Sequence, residues 1–257
     1  MTDDLTIDTL REARDRVITN IQAACARVGR DPGEVTLVAV SKTVGVERLR
    51  AAVEAGLGVL GENRVQEAAG KVGLVDGATW HLVGPLQSNK ARRAVELFDV
   101  VESVDSVDLA RRLDRLAGEM RPDRRLPILL QVNVDADAAK AGFSAHALEA
   151  ALAELTDLAH LRLDGLMTIG RLVGSAEEAR PTFRALRDLS ARLRDRHAAL
   201  GAGLSMGMTD DYAVAVEEGA TIVRVGRAIF GERPHAHGPA GLHTHAHDGD
   251  HAHDHRG

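Results

Sequence analysis

Apolar positions along the chain fall into two alternating patterns. Between Asp8 and Gly29 they recur at Leu10, Val17, Ile21, Ala24 and Val28, a helical stripe closed by Gly29 and by Pro32 beyond it. The run VTLVAV (35–40) is apolar almost throughout and too short for a helix, which predicts a strand buried on both faces. A helical stretch at 46–56, a strand at 57–61 and a helix from about Asn63 come next. Further strand-like runs are 79–83, 98–103, 127–134, 161–169, 203–208 and 220–226. Helical patterns fill the gaps at 88–97, 106–119, 144–157, 175–199 and 210–218, and the short segment RAIFGE follows the last strand.

Eight strands each followed by a helix, after one extra N-terminal helix, imply an α/β fold with a parallel sheet. The count and size match a single closed (β/α)8 barrel of the TIM type. An open doubly wound sheet is the competitor. Its dinucleotide fingerprint is missing, because the first strand–helix junction reads SKTVGVE and lacks G-x-G-x-x-G.

Composition narrows the class. Of 257 residues, 44% are hydrophobic and 27% charged, as in an ordinary globular protein. No apolar run reaches the roughly 18 residues of a membrane span. The N-terminus, MTDDLTIDTLREARDR, reads as neither a signal nor a transit peptide. One cysteine, Cys25, rules out an internal disulfide and is expected to be packed rather than reactive. These features point to the cytoplasm. A net charge of -6 and only 2% aromatic residues argue against a nucleic-acid partner.

Eight of the 12 histidines lie between His235 and His255. The segment 235–257 is low in complexity and nearly devoid of large apolar side chains, so it is expected to be a disordered tail on a folded unit spanning 1–234. Its H-x-H spacings, with His243, His245, His247, His251, His253 and His255 as candidate ligands, suit weak binding of zinc, nickel or copper. Metal buffering is therefore one alternative function.

In a barrel of this kind the active face is built from residues that follow the strands. Lys42 stands directly after the first strand, where desolvation is expected to lower its pKa and free the amine to attack a carbonyl. The bland reading is a lysine snorkelling to solvent. At the other end of the chain, Gly226 and the start of RAIFG follow strand eight, and Gly207 with Ser205 and Thr209 follows strand seven. Strands seven and eight often build a phosphate site with a short helix, whose first N–H groups attract the anion. A lysine at one end and a phosphate cradle at the other describe an aldehyde-bearing phosphate, pyridoxal 5'-phosphate (PLP).

The chain resembles the YggS/PROSC family of pyridoxal-phosphate-binding homeostasis proteins. The strings that carry the resemblance include VAVSKT (38–43), GENRVQEA (61–68), WHLVGPLQSNKAR (80–92), VESVDS (101–106), KAGF (140–143), GLMTIG (165–170), LSMGM (204–208) and VRVGRAIFGER (223–233). The resemblance implies a lone barrel like the N-terminal domain of alanine racemase, acting as a cofactor carrier or buffer in vitamin B6 and amino-acid homeostasis. It implies a Schiff base on Lys42, Arg224 opposite the pyridine nitrogen, and phosphate on the N–H groups of Gly226 and Arg227 with Ser205 near it. Asn63 and His81 would line the mouth. PLP-dependent enzymes or B6 salvage enzymes are the implied partners.

Three positions depart from the family pattern. Arg227 replaces a small hydroxyl residue, Val44 replaces a lysine and Gly45 a proline; Lys140 is left as a secondary amine. The enzymatic alternative is an amino-acid racemase, which needs a second base. Tyr212 is the single tyrosine and is expected on the helix after strand seven. Elsewhere, Asp210-Asp211 reads as a helix N-terminus, and Glu217-Glu218 and RLRDRH (192–197) as solvated faces. His146, His160 and His197 read as surface or boundary residues.

Overall fold

The computed structural model describes residues 2–170 and 174–231. The tail histidines and the boundary at Pro234 lie outside the described residues. Eight parallel strands close into a barrel in sequence order, β1 through β8. They are β1 (Thr36–Val40), β2 (Val59–Glu62), β3 (Thr79–Leu82), β4 (Val100–Val104), β5 (Leu126–Gln131), β6 (Leu161–Met167), β7 (Gly203–Ser205) and β8 (Ile222–Val225). The helices are α1 (Thr2–Val28), α2 (Val46–Glu54), α3 (Val65–Ala69), α4 (Ala91–Leu97), α5 (Val107–Met120), α6 (Ala145–Thr156), α7 (Arg180–Arg194), α8 (Tyr212–Glu217) and α9 (Arg227–Phe230). Closure is made by β1 on β8, with Val38 opposite Arg224 and Ala39 opposite Val225.

Parallel strands bury both faces, and the two faces carry different chemistry here. Leu82, Val101, Leu204, Val223 and Val225 belong to one apolar core with Leu109, Leu113, Phe183 and Leu186 of the helices. The alternating positions His81, Glu102, Ser205 and Arg224 are buried and polar. Period-two alternation puts them on the opposite face, in the lumen.

Several local expectations are refined. Strand seven stops at Ser205, because Gly207 has φ +90 and lies against Ala215 and Tyr212, where a Cβ would come within 2.5 Å and 2.9 Å of their atoms. The α1 stripe buries Cys25, while Val28 stands 45% exposed. Glu217-Glu218 is not a solvated face. Glu218 is buried and accepts from Arg180 at 2.9 Å, Arg184 at 3.1 Å and Arg187 at 2.7 Å, all on α7. Glu217 pairs with Arg27 of α1 and with Arg180, each at 2.6 Å. Among the described residues no helix is long and apolar enough to cross a membrane.

Candidate functional site at the barrel mouth

The chain leaves β1 through a tight turn. The N–H of Val44 donates to the Ser41 carbonyl at 3.0 Å, which puts Lys42 and Thr43 in the two central positions. Lys42 is half-buried, and none of the described residues takes a hydrogen bond or ion pair from its ammonium.

Below the mouth, four strands meet through their side chains. His81 Nδ1 of β3 lies 2.6 Å from Glu102 Oε1 of β4. The Ser205 hydroxyl of β7 donates to Glu102 Oε2 at 2.5 Å. It also accepts from the Arg224 guanidinium of β8, whose Nη2 donates to the Thr168 carbonyl at 2.8 Å. Strands β4 and β7 are not neighbours in the closed order, so the Glu102–Ser205 bond crosses the lumen. Burial works to raise the Glu102 carboxyl. Contact with His81, the charge of Arg224 and the Ser205 hydrogen bond outweigh it and hold the group below the ordinary carboxylate range. Burial also lowers the Arg224 guanidinium from its usual value, with Glu102 and Asp211 opposing.

The junctions after β7 and β8 are tied to each other. Arg227, the first residue of α9, pairs through Nη2 with Asp210 of the β7–α8 loop. Asp211 turns back to accept from the Met208 N–H at 2.6 Å, and burial pushes its carboxyl up. A Cβ at Gly226 would stand 3.3 Å from the Val40 carbonyl, a tight approach that would make the end of β1 give by a few tenths of an ångström. The N–H groups of Ile229 and Phe230 donate back to the Gly226 carbonyl at 3.0 Å and 2.9 Å, which closes the first turn of α9 on Gly226. A phosphate needs donors, and the single O–H of Ser205 is spent on Glu102; Ser205 reaches an anion only by giving up that bond.

Asn63 follows β2 and is half-buried. Its carbonyl would be 2.3 Å from a Cβ at Gly84, so the β2 and β3 loops touch backbone to backbone at the mouth. Lys140 is held by the carbonyls of Ile169 at 3.2 Å and Gly170 at 2.7 Å, which fastens the β5 loop to the β6 loop.

A second polar group, behind Lys42, escapes a reading of the sequence. Lys71 donates to the Ser41 carbonyl at 3.0 Å, to Glu62 Oε1 at 2.7 Å and to Glu67 Oε1 at 2.7 Å. Ser41 Oγ donates to Glu62 Oε1 at 2.7 Å, and the Thr43 N–H donates to Glu67. Burial raises Glu62, whose other oxygen is buried and has no partner. Burial acts the same way on Glu67, but the hydrogen bonds from Lys71 and Thr43 leave it lowered. The spacing of Glu67 and Lys71, four apart after GEN, is the signal that could have shown their pairing.

The structure thus brings His81, Ser205 and Arg224 into one network and sets Gly226 and Arg227 beside it in the chain, with Lys42 on the neighbouring strand end. An amine, a row of N–H donors and a fixed cation suit a group carrying both an aldehyde and a phosphate. Among the described residues no group of three or more His, Cys, Asp or Glu is placed to hold a metal ion.

This is a barrel of the alanine racemase type: residues 13–234 match the family model described as alanine racemase, N-terminal domain. The chain belongs to that family, and within it to the pyridoxal phosphate homeostasis proteins. It is 42% identical over 231 residues to the pyridoxal phosphate homeostasis protein of Pseudomonas aeruginosa, covering 88% of this chain and 97% of that one. The corresponding Escherichia coli protein is 37% identical over 233 residues, covering 88% and 96%. PipY of Synechococcus elongatus, solved with PLP bound, is 43% identical with a TM-score of 0.73, covering 82% of this chain and 100% of that one. An alanine racemase from Clostridium difficile is 14% identical with a TM-score of 0.68, covering 88% of this chain and 57% of that one, a likeness of fold alone.

Proposed function

We propose that this protein binds PLP in the barrel mouth, with Lys42 as the amine that takes the cofactor's aldehyde, and that it serves B6 homeostasis as a carrier or buffer rather than as an enzyme. The observation that carries the reading is the half-buried ammonium of Lys42 at the end of β1, which has no partner among the described residues, in a chain 43% identical to a protein solved with PLP bound. The N–H groups of Gly226 and Arg227 take the phosphate, because helix-start donors favour an anion. Asn63 and His81 line the approach. Ser205 holds Arg224 in place.

Bound PLP supplies an electrophilic carbon conjugated to an aromatic ring. Arg224, fixed by Ser205 and the Thr168 carbonyl, would offer a cation to the ring nitrogen and so disfavour its taking a proton. With that nitrogen unprotonated the ring would be a weak electron sink, which suits storage better than turnover. The receivers of the stored cofactor are PLP-dependent enzymes or B6 salvage enzymes.

Borohydride reduction of the PLP-loaded protein followed by peptide mapping tests the assignment. The adduct is expected on Lys42, and Lys42→Ala is expected to lose the visible absorbance of the bound cofactor while staying folded by circular dichroism. Trapping mainly on Lys90 or Lys140 overturns it.

A further inference from the structure

We propose that Lys71, acting with Glu67, is a positioning residue that clamps both peptide groups flanking Lys42 and so fixes where the Lys42 amine points. The inference rests on the reading of Lys42 as the cofactor-bearing amine. Lys71 is only 7% exposed, and its three N–H donors are all used: on the Ser41 carbonyl, on Glu62 and on Glu67. It is therefore not a spare amine for an aldehyde. The Ser41 carbonyl belongs to the peptide on one side of Lys42. On the other side the Thr43 N–H donates to the same Glu67 oxygen that Lys71 holds.

The turn that carries Lys42 needs such a clamp. Thr43 sits at its third position with φ 66, where turns of this form normally carry glycine. A β-branched residue seldom adopts a left-handed backbone, and it persists there only when its surroundings impose it. Here the surroundings are a buried ion group. Glu62 and Glu67 each lie 2.7 Å from the one Lys71 ammonium, and Glu62 also accepts from the Ser41 hydroxyl. Without Lys71, two carboxylates would face each other with no cation between them. Their separation would release Ser41 and Thr43 together, and the Lys42 side chain would lose its direction.

The test uses the full chain with Lys71→Met, Lys71→Arg, Glu67→Ala and the double variant Glu67→Ala/Thr43→Gly. Two quantities are read by peptide mass spectrometry. One is the PLP trapped on Lys42 by borohydride at limiting cofactor. The other is the acetylation rate of Lys42 in cofactor-free protein, with Lys90 and Lys140 in the same digest as internal controls. Misplacement of a reacting group by about an ångström costs up to about a hundredfold, so Lys71→Met and Glu67→Ala are each expected to lose about tenfold or more of the Lys42 trapping. Lys42 acetylation should change while Lys90 and Lys140 do not. Lys71→Arg, which keeps the cation, should retain most of the trapping. Glycine accepts the positive φ without strain, so the double variant should recover part of what Glu67→Ala loses.

Folded Lys71→Met or Glu67→Ala with wild-type trapping overturns the proposal, as does a folded double variant no better than Glu67→Ala. If Lys71→Met does not fold, the Glu67 pair decides. Failure of the underlying reading shows separately, as wild-type trapping on a lysine other than Lys42.

Discussion

Glu102 and His81 meet at 2.6 Å inside the barrel, and Glu102 has no exposed surface at all. Its second oxygen takes the Ser205 hydroxyl, which in turn holds Arg224. One carboxylate thus links β3 to β7 across the lumen and supplies the countercharge for a buried guanidinium.

Removing that carboxylate leaves Arg224 buried with Asp211 as its remaining acidic neighbour. Breaking a direct buried ion pair by deleting one partner costs about 3–5 kcal/mol; Glu102 reaches Arg224 through Ser205 and Asp211 remains, so Glu102→Ala is expected to lower unfolding free energy in urea by less than that. The pH dependence follows from the direction of the shift. The folded-state pKa of Glu102 is lowered, so its contribution to stability is present above the ordinary carboxylate range and is lost as pH falls through the depressed value. The stability gap between wild type and Glu102→Gln should therefore narrow on acidification. A gap that stays constant down to acid pH would show that the charge of Glu102 contributes nothing to folding.

Gly226→Val should weaken PLP far more than phosphate-free pyridoxal. The side chain would be built toward the Val40 carbonyl, 3.3 Å from the Cβ position, and would shift the first turn of α9. Loss of charge-assisted hydrogen bonds to the phosphate corresponds to about tenfold to a hundredfold in affinity. Titration of both ligands, followed by absorbance, reads the difference. Equal losses for the two would move the phosphate elsewhere.

Much of the architecture was legible because parallel strands buried on both faces read as short apolar runs. Segments such as 35–40 and 127–134 could hardly be anything else. Lys42 was legible for the same reason, as a lone charge at the end of such a run. Glu102 was not, although it too interrupts an apolar run, VVESV, because its partner Ser205 lies 103 residues away. Closure of the barrel brings them together, and no local pattern carries that information. Glu217 and Glu218 misled for a related reason. The periodicity of α8 says nothing of Arg180, Arg184 and Arg187, which reach Glu218 from α7.

The histidine-rich segment 235–257 invites a separate test. Its repeated H-x-H pairs suit divalent transition metals, and the described residues contain no cluster fit for one. Truncation after Pro234 should abolish nickel or zinc binding in isothermal titration and leave PLP affinity unchanged. Binding by the full chain should weaken as pH falls below about 6.5, where neutral imidazoles take up protons. Tight metal binding by the truncated protein would place the site in the barrel instead.

Absence of turnover is the prediction that separates a carrier from a racemase. Racemisation needs a base on each face of the cofactor, and the single tyrosine is the residue to examine. Tyr212 lies on α8, is 7% exposed, and its hydroxyl accepts from Asn20 Nδ2 of α1 at 2.9 Å. That contact is with the N-terminal helix, outside the ring of strands, so the phenol is directed away from the lumen that holds Arg224 and Ser205. Bringing it to the mouth would require α8 to leave α1 and Gly207 to lose its packing against Tyr212. Incubation of the PLP-loaded protein with L-alanine or L-serine should therefore give racemisation and transamination no faster than free PLP, measured by chiral chromatography. Tyr212→Phe should leave that background unchanged. Robust turnover that disappears in both Lys42→Ala and Tyr212→Phe would make the protein a two-base enzyme and end the carrier reading.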